Sequence, residues 1–290
     1  MKINEVKHLD IGQMNMYMGY FAKEENYEGD NPPIGIILSK DKKTIKNWFD
    51  CISQSTITVP ISDVILNPVN VNNKIKRCGK TGEIALISSH LGLINVDLEL
   101  ATLLGGANME QTKKKYIMVH GSLRKELKRI SETEYDIILI DCPPNFNIVT
   151  KNALIASDII LVPAKPDYLS TLGIDYLQGS VKTLVKDYND FCQGIDSEEI
   201  INPQIIGVVF TMIQLYGSNP IETQQQYIYQ TKRLGIPIFD NYIIANNTIF
   251  ADAPQNGIPV ILNSYSNSSH QANISHIRDF TQEFIDKVGI

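Results

Sequence analysis

Tyr135–Pro144 reads YDIILIDCPP, and the fold turns on how this stretch is understood. Four successive apolar residues, Ile137–Ile140, run into Asp141 and, past Cys142, into Pro143 and Pro144. Proline has no amide donor, so the strand must end there. A short run that is apolar at every position, rather than at alternate ones, belongs to a strand buried on both faces, as in a parallel sheet. In such sheets functional groups gather at the carboxyl ends of strands, which is where this reading puts Asp141. A carboxylate in that place can hold Mg²⁺ through water and orient the phosphates of a nucleotide. The plainer alternative is that Asp141 only caps the turn that follows.

The same pattern recurs outward from this stretch, at Ile34–Leu38, Ile84–Ile87, Ile159–Val162 and Ile205–Phe210. Between these runs the apolar spacing is helical. Leu123, Leu127 and Ile130 mark one stripe, and Leu172, Tyr176, Val181, Leu184 and Tyr188 a second. Ile274, Ile277, Phe280 and Phe284 mark a third. Alternating strands and helices predict an α/β fold, a doubly wound and mostly parallel sheet with helices on both faces. Lysine-rich Ser39–Lys46 is the one compositional break and reads as a junction.

The composition suits such a fold: of 290 residues, 43% are hydrophobic and 20% charged, enough for a core of ordinary size. A net charge of −6 argues against tight, nonspecific binding to nucleic acid, which needs a basic surface. The four cysteines, Cys51, Cys78, Cys142 and Cys192, lie far apart with no CxxC pair. Neither a disulfide framework nor a zinc site is expected, which points to a reducing cytoplasm. Met1–Asp10 is charged throughout and lacks an apolar signal core. The most apolar stretch, Ile155–Ala164, is broken by Asp158 and is too short for a membrane span.

Read as a whole, residues 135–177, YDIILIDCPPNFNIVTKNALIASDIILVPAKPDYLSTLGIDYL, resemble the Walker B region of the ParA/Soj/MinD family of deviant Walker ATPases. Asn152-Ala153-Leu154, Ser157-Asp158, Pro163 and Tyr168 stand at that family's motif positions. Upstream, Ile84–Leu100 is similar to its "IPS...L...E..L" strand and helix. Downstream, Ile205–Ile213 is similar to its "GVxxTM" strand, and Asp252-Ala253-Pro254 with Gly257 and Pro259 to its "EAPxxGxP" loop. The likeness covers roughly residues 47–290. It implies a P-loop NTPase-like fold and a plasmid or chromosome partition ATPase, with ATP and Mg²⁺ as cofactors, a homodimer and a ParB-like partner protein. It implies Asp141 as the catalytic and metal-holding residue, with Cys142, Pro143, Pro144, Thr211, Met212, Ala253 and Pro254 completing the nucleotide site.

That family opens with a strand and a KGGVGKT-type loop whose backbone amides and lysines grip phosphates. Residues 1–46 contain no such motif. Gly79-Lys80-Thr81 lacks the upstream glycine and a preceding strand, and is expected to be a hairpin turn. Ile34–Leu38 followed by Ser39–Thr44 has the right order before a helix-like stretch, but no glycine lets the backbone wrap a phosphate. The family's DxD-type acid is also absent. Where its members carry "PRNxR", this chain has Ala245–Ile249 without either arginine, so weak or no DNA binding is expected. Lys182, Lys186, Lys232 and Arg233 would be a substitute stripe, though solvated helix faces look the same.

Residues 1–43 resemble something else, the C-terminal part of the YhcG-type PD-(D/E)XK nucleases, with Gln13 and Tyr17 matching a GQMNxY helix. The metal-binding acids of that family would fall before Met1, and Glu5-Val6-Lys7 is too close to Gly12-Gln13 to replace them. Without them no Mg²⁺-activated water forms, so nuclease activity is not expected. The domains expected are 1–43, the nuclease-like fragment, and 44–290, the ATPase-like domain. Three functions stay open: a partition ATPase relative defective in ATP binding and hydrolysis, a rearranged fusion without selected function, and a working ATPase using Ser39–Thr44. Ile34–Leu38 is expected to fill the middle of the sheet, with Met1–Lys23 as a helix outside it.

Overall fold

The computed structural model describes residues 34–38, 44–53, 60–90, 92–130, 134–193, 195 and 199–289. The expected Met1–Lys23 helix, Gln13, Tyr17, the Glu5–Lys7 triplet and Ser39–Lys43 lie outside the described residues. The chain divides into two compact units. The first takes Met1–Ala156, Phe191–Glu198 and Phe250–Ser264, and the second Ser157–Asp190, Glu199–Ile249 and Tyr265–Ile290.

The first unit is built on β1 (Ile34–Leu38), β2 (Ile65–Leu66), β3 (Ala85–Ser89) and β4 (Ile138–Leu139), in the order β2-β3-β1-β4. β1 runs parallel to both neighbours, Ile34 aligning with Ala85 on one side and Ile138 on the other. The apolar run at 34–38 therefore does hold an interior position. β2 pairs antiparallel to β3, and its two residues gave no periodic signal in the sequence. Around the sheet lie α1 (Ile45–Ser53), α2 (Val69–Arg77), α3 (Leu93–Thr102), α4 (Met109–His120), α5 (Ser122–Leu127) and α6 (Ile148–Ala156).

α1 supplies the largest part of the core. Trp48 and Phe49 are buried, their rings edge to face with centroids 4.7 Å apart. They pack with Ile45, Ile61, Ile87, Val96, Leu100 and Val119. Burying side chains of this size stabilises by about 1.5–3 kcal/mol each. Two buried asparagines fasten loops to this core. Asn72 donates to the Ile84 carbonyl and accepts from the Ile84 amide, at 2.9 and 2.8 Å, fixing the entry to β3. Asn152 donates to the Val119 and Ile148 carbonyls and accepts from the Ser122 hydroxyl and the Leu123 amide, locking α6 to the α4–α5 junction.

The second unit contains β5 (Ile159–Ala164) and β6 (Gln204–Phe210), parallel, with a one-residue slip between Ile160 and Leu161. α7 (Tyr168–Cys192) follows β5, although its last two residues count with the first unit. The short hairpin of β7 (Leu215–Tyr216) and β8 (Asn219–Pro220) precedes α8 (Glu222–Lys232). α9 (Asn247–Asn256) follows, its residues from Phe250 onward counting with the first unit, and then α10 (Ser268–Val288). The α10 stripe is as expected: Ile274, Ile277, Phe280 and Phe284 are all buried. Glu283 on the same helix accepts from the Asp240 and Asn241 amides, both at 2.8 Å, and pins the segment after β6.

Three expectations need correction. Gly79-Lys80-Thr81 is not a hairpin turn but the exit of α2 toward β3. Gly79 takes φ 78° and donates to the Lys76 carbonyl at 3.0 Å, the left-handed helix stop that glycine permits. Asp252-Ala253-Pro254 is not in a loop but in α9, because the Asn246 side chain caps the amides of Thr248 and Ile249 and starts a helix there. In α7, Val181, Leu184 and Tyr188 are buried, whereas Leu172 and Tyr176 are 51% and 72% exposed. Helical spacing shows which residues share a face and not which part of the face is covered.

Candidate functional site

Because β1, β3 and β4 are parallel, their carboxyl ends meet at one edge of the first unit's sheet. Asp141 lies two residues beyond β4, at that edge, as the sequence required. Its side chain reaches solvent, yet neighbouring protein removes enough water to raise its pKa above the ordinary carboxylate value. Cys142 is exposed, yet protein crowded around its thiol, and then the Asp141 charge beside it, push it up to about 12. A thiol held in that state does not act as a nucleophile near neutral pH.

The segment after Asp141 is rigidly anchored. Beyond Pro143 and Pro144, Asn145 donates from its amide to the Pro143 carbonyl at 2.7 Å, closing a tight turn. Asn145 also accepts from the Thr150 hydroxyl at 3.0 Å. Asn147 caps α6 through the Thr150 amide, and Asp97 of α3 accepts from the Ile148 amide at 2.6 Å. A carboxylate at a helix N-terminus is favoured by the helix dipole. Asp97 therefore has a structural task. Asp141 has no hydrogen-bond partner of this sort among the described residues.

The end of β1 leads toward α1, whose start is closed from within. The Thr44 amide and hydroxyl both donate to Asn47 Oδ1, at 3.1 and 2.6 Å. Asn47 caps the Thr44 amide as the glutamate of a capping box would, but its own amide donates to the Thr44 carbonyl at 3.0 Å rather than to the hydroxyl. Lys46 pairs with Asp50 at 2.5 Å, and its aliphatic stem lies against Gly92 at the start of α3. A Cβ at Gly92 would come within 2.7 Å of Lys46 Cε, the flexible end of a side chain that can move aside, so the approach is close without requiring glycine. His90 Nδ1 accepts from the Gly92 amide at 2.9 Å. Sequence reading passed over His90, Asn47, Lys46 and Gly92. Only Asn47, three residues after a threonine, left a recognisable signature.

Thr211 and Met212 belong to the second unit, at the carboxyl end of β6. The Thr211 amide donates to the Ala164 carbonyl at 2.8 Å. Met212 adopts φ 56°, a left-handed conformation costly for a residue with a side chain. Buried Gln224 holds it there, donating to the Met212 carbonyl at 3.2 Å and accepting from the Gln214 amide at 2.8 Å. Ala253 and Pro254 sit in α9. Lys182, Lys186, Lys232 and Arg233 are all exposed on the second unit. No helix among the described residues is long and apolar enough to cross a membrane.

Comparison with known proteins places this geometry. Residues 31–193 match a family model described as AAA domain, a match that begins three residues ahead of β1. The chain is 30% identical over 176 residues to the sporulation initiation inhibitor protein Soj of Bacillus subtilis (strain 168), covering 58% of this chain and 60% of that protein. It is 30% identical over 158 residues to the chromosome-partitioning ATPase Soj of Treponema pallidum (strain Nichols), covering 54% of this chain and 53% of the relative. The chain thus spans between half and three-fifths of the length of these curated relatives. Among solved structures, apo McdA of Cyanothece superposes with TM-score 0.61 at 17% identity, covering 95% of this chain and 96% of McdA. A plasmid partition protein of Borrelia burgdorferi B31 bound to AMPPNP gives 0.54 at 16% identity, covering 96% and 94%. At these identities the structures establish the shared fold alone.

Proposed function

This chain belongs to the AAA-domain family of ParA/Soj/MinD type, and from that premise we propose that it is a partition-ATPase relative that has lost the grip on ATP phosphates. The observation that carries this reading is the closed start of α1. A phosphate loop needs free backbone amides and a free hydroxyl at the helix that follows its strand. Here the Thr44 amide and hydroxyl are spent on Asn47, and Ser39–Thr44 contains no glycine. The engaged donors of Thr44 and the lack of glycine support a site that does not fit triphosphate. Asp141 alone suits Mg²⁺, so it retains the metal side of the site without the phosphate side. Missing hydrogen bonds to charged oxygens are worth about 1.5–3 kcal/mol each, and two of them already weaken binding by orders of magnitude.

On this reading the protein acts through its surface, as a homodimer or alongside a ParB-like partner, and not through turnover. The Walker B-like Asp141 is a remnant of the family's catalytic acid. Cys142, Pro143, Pro144, Thr211, Met212, Ala253 and Pro254 are the remaining positions of the inherited nucleotide site. The rival reading, a fusion of a nuclease-like fragment with no selected function, rests on the resemblance of residues 1–43. Calorimetric titration of the full chain with ATP and Mg²⁺ separates working from defective. We expect no saturable heat below about 1 mM. Micromolar affinity would overturn the reading and promote Ser39–Thr44 to a working phosphate loop.

A further inference from the structure

α3 turns an apolar row to solvent. Ile94 and Leu98 are 75% and 70% exposed, and Ala101, exposed too, continues the row one turn on. Val96 and Leu100, on the other side of the helix, are buried in the first unit's core. Residues three and four apart share a helix face, so positions 94, 98 and 101 stand together. Single exposed apolar residues need no explanation, but two large ones in one row do.

The direction of α3 shows what can reach this row. Lys46, near the start of α1, lies against Gly92 at the start of α3, and Ser53 at the end of α1 donates to Glu99 at 3.1 Å. The two helices therefore run side by side in the same direction. Each follows the carboxyl end of a parallel strand, so both lead away from that edge of the sheet. The chain enters β1 at the opposite edge, at Ile34. Residues 1–33, which precede that entry, lie outside the described residues, yet their sequence carries a complement to the row. Met14, Tyr17, Met18 and Phe21 fall at i, i+3, i+4 and i+7, the spacing of an apolar helical stripe. The stretch from Phe21 to Ile34 spans up to about 40 Å, against roughly 15 Å for the length of α3, so the stripe is within reach.

Size and charge favour this occupant. Tyr17 and Phe21 bury about 150–250 Å² each when covered, and methionine adapts to an irregular surface. One such stripe matches one row, whereas an interface between separate proteins takes roughly 800 Å² per partner, far more than two aliphatic side chains supply. A lipid surface is the poorer occupant, because α3 has no lysine or arginine and carries Asp97 and Glu99. The exposed residues of α7 belong to the second unit, whereas α3 and the segment ahead of β1 both count with the first. We propose that Met14–Phe21 docks as a helix on the Ile94–Leu98–Ala101 face of α3 within the same chain. Docked there, the segment closes this face to other partners and ties the N-terminal residues to the first unit by a second contact besides β1. The docking needs no nucleotide, so it stands whether or not the phosphate site works.

Hydrogen exchange of the full, nucleotide-free chain, read over peptides covering residues 12–22, tests this. We expect these amides to exchange at least about tenfold more slowly than an unstructured peptide, equally at protein concentrations of about 1 and 100 μM. Ile94→Gln with Leu98→Gln places a good helix former at exposed positions, and should abolish that protection while Ala85–Ser89 keeps its own. Leu98→Ala alone, read in the same way, should shorten it, and serves if the paired variant loses its fold. Exchange of residues 12–22 at the unstructured rate in the unaltered chain overturns the proposal. Protection that survives both variants places the segment elsewhere and equally overturns it. Protection lost on dilution identifies a second copy as the source of the contact, which also contradicts docking within one chain.

Discussion

The two units of the molecule reach order by different routes. In the second, each long connection is tied by a satisfied polar side chain: Asn189 exchanges two hydrogen bonds with Ile201, Gln224 holds the turn after β6, and Glu283 holds the segment beyond it. In the first, which the AAA-domain match enters ahead of β1, buried polar atoms are less completely paired among the described residues. Buried atoms without a hydrogen-bond partner among the described residues include Trp48 Nε1, Asp50 Oδ1 and Glu126 Oε2 in the first unit, against Asn273 Oδ1 in the second. Each such group costs about 1–3 kcal/mol. A parallel sheet selects an apolar, β-branched run of the right length, whatever its ancestry. The chemistry resides in the loop after the strand, and an apolar strand does not by itself specify that loop.

The largest expected effect comes from removing the strand. Deleting residues 1–40 leaves facing edges on β3 and β4 unpaired, and several such groups together exceed a typical total stability of about 5–15 kcal/mol. We expect insoluble protein or loss of a cooperative thermal transition. A truncated chain as soluble and heat-stable as the full one removes the distinction between the units, because β1 would then contribute nothing to the first.

Next in size is the core beneath that strand. Trp48→Ala should cost about 3–5 kcal/mol, measured by denaturant unfolding, because it vacates a fully buried site packed edge to face with Phe49. A loss under 1 kcal/mol would mean that the first unit's core is loosely packed.

A pH effect of similar order is expected in the first unit. Burial, opposed by the hydrogen bond to the Tyr116 carbonyl, lowers His120 to about 4 from an ordinary 6.5. The folded state prefers neutral imidazole. Its contribution is therefore complete above pH 6.5 and is lost as pH falls from 6.5 toward 4. A difference of that size corresponds to roughly 3 kcal/mol. Asp141, raised above its ordinary value, acts with the opposite sign. Unfolding measured at pH 7 and pH 4.5 should show the loss, and His120→Gln should flatten it. An unchanged slope in the variant would assign the pH dependence to other groups.

Much of this organisation was legible in the sequence. Uniform apolar runs marked β1, β5 and β6, and the acid and paired prolines after Ile137–Ile140 put Asp141 at a strand end. The α10 stripe was correct at every position. Two-residue strands such as β2 are too short to carry a period, and the β7–β8 hairpin, though it turns on Gly217-Ser218 with Gly217 at φ 64°, has strands equally short. The Asn246 cap that draws Ala253 and Pro254 into a helix was present in the sequence but was overridden by a motif likeness. The exposure of Leu172 and Tyr176 had no sequence signal, because amphipathic spacing does not say how far along a helix its cover extends. Gln224 acts through backbone groups of Met212 and Gln214 brought near by folding, which residue types alone do not reveal.

The central claim is that Ile34–Leu38 completes the first unit's sheet from the inside. Hydrogen exchange of the intact protein reads it directly, by comparing peptides covering Ile34–Leu38 with peptides covering Ala85–Ser89. With β1 paired to both β3 and β4, its amides should be protected at least as long as those of β3. Exchange across 34–38 at the rate of an unstructured peptide, with β3 still protected, would contradict the account.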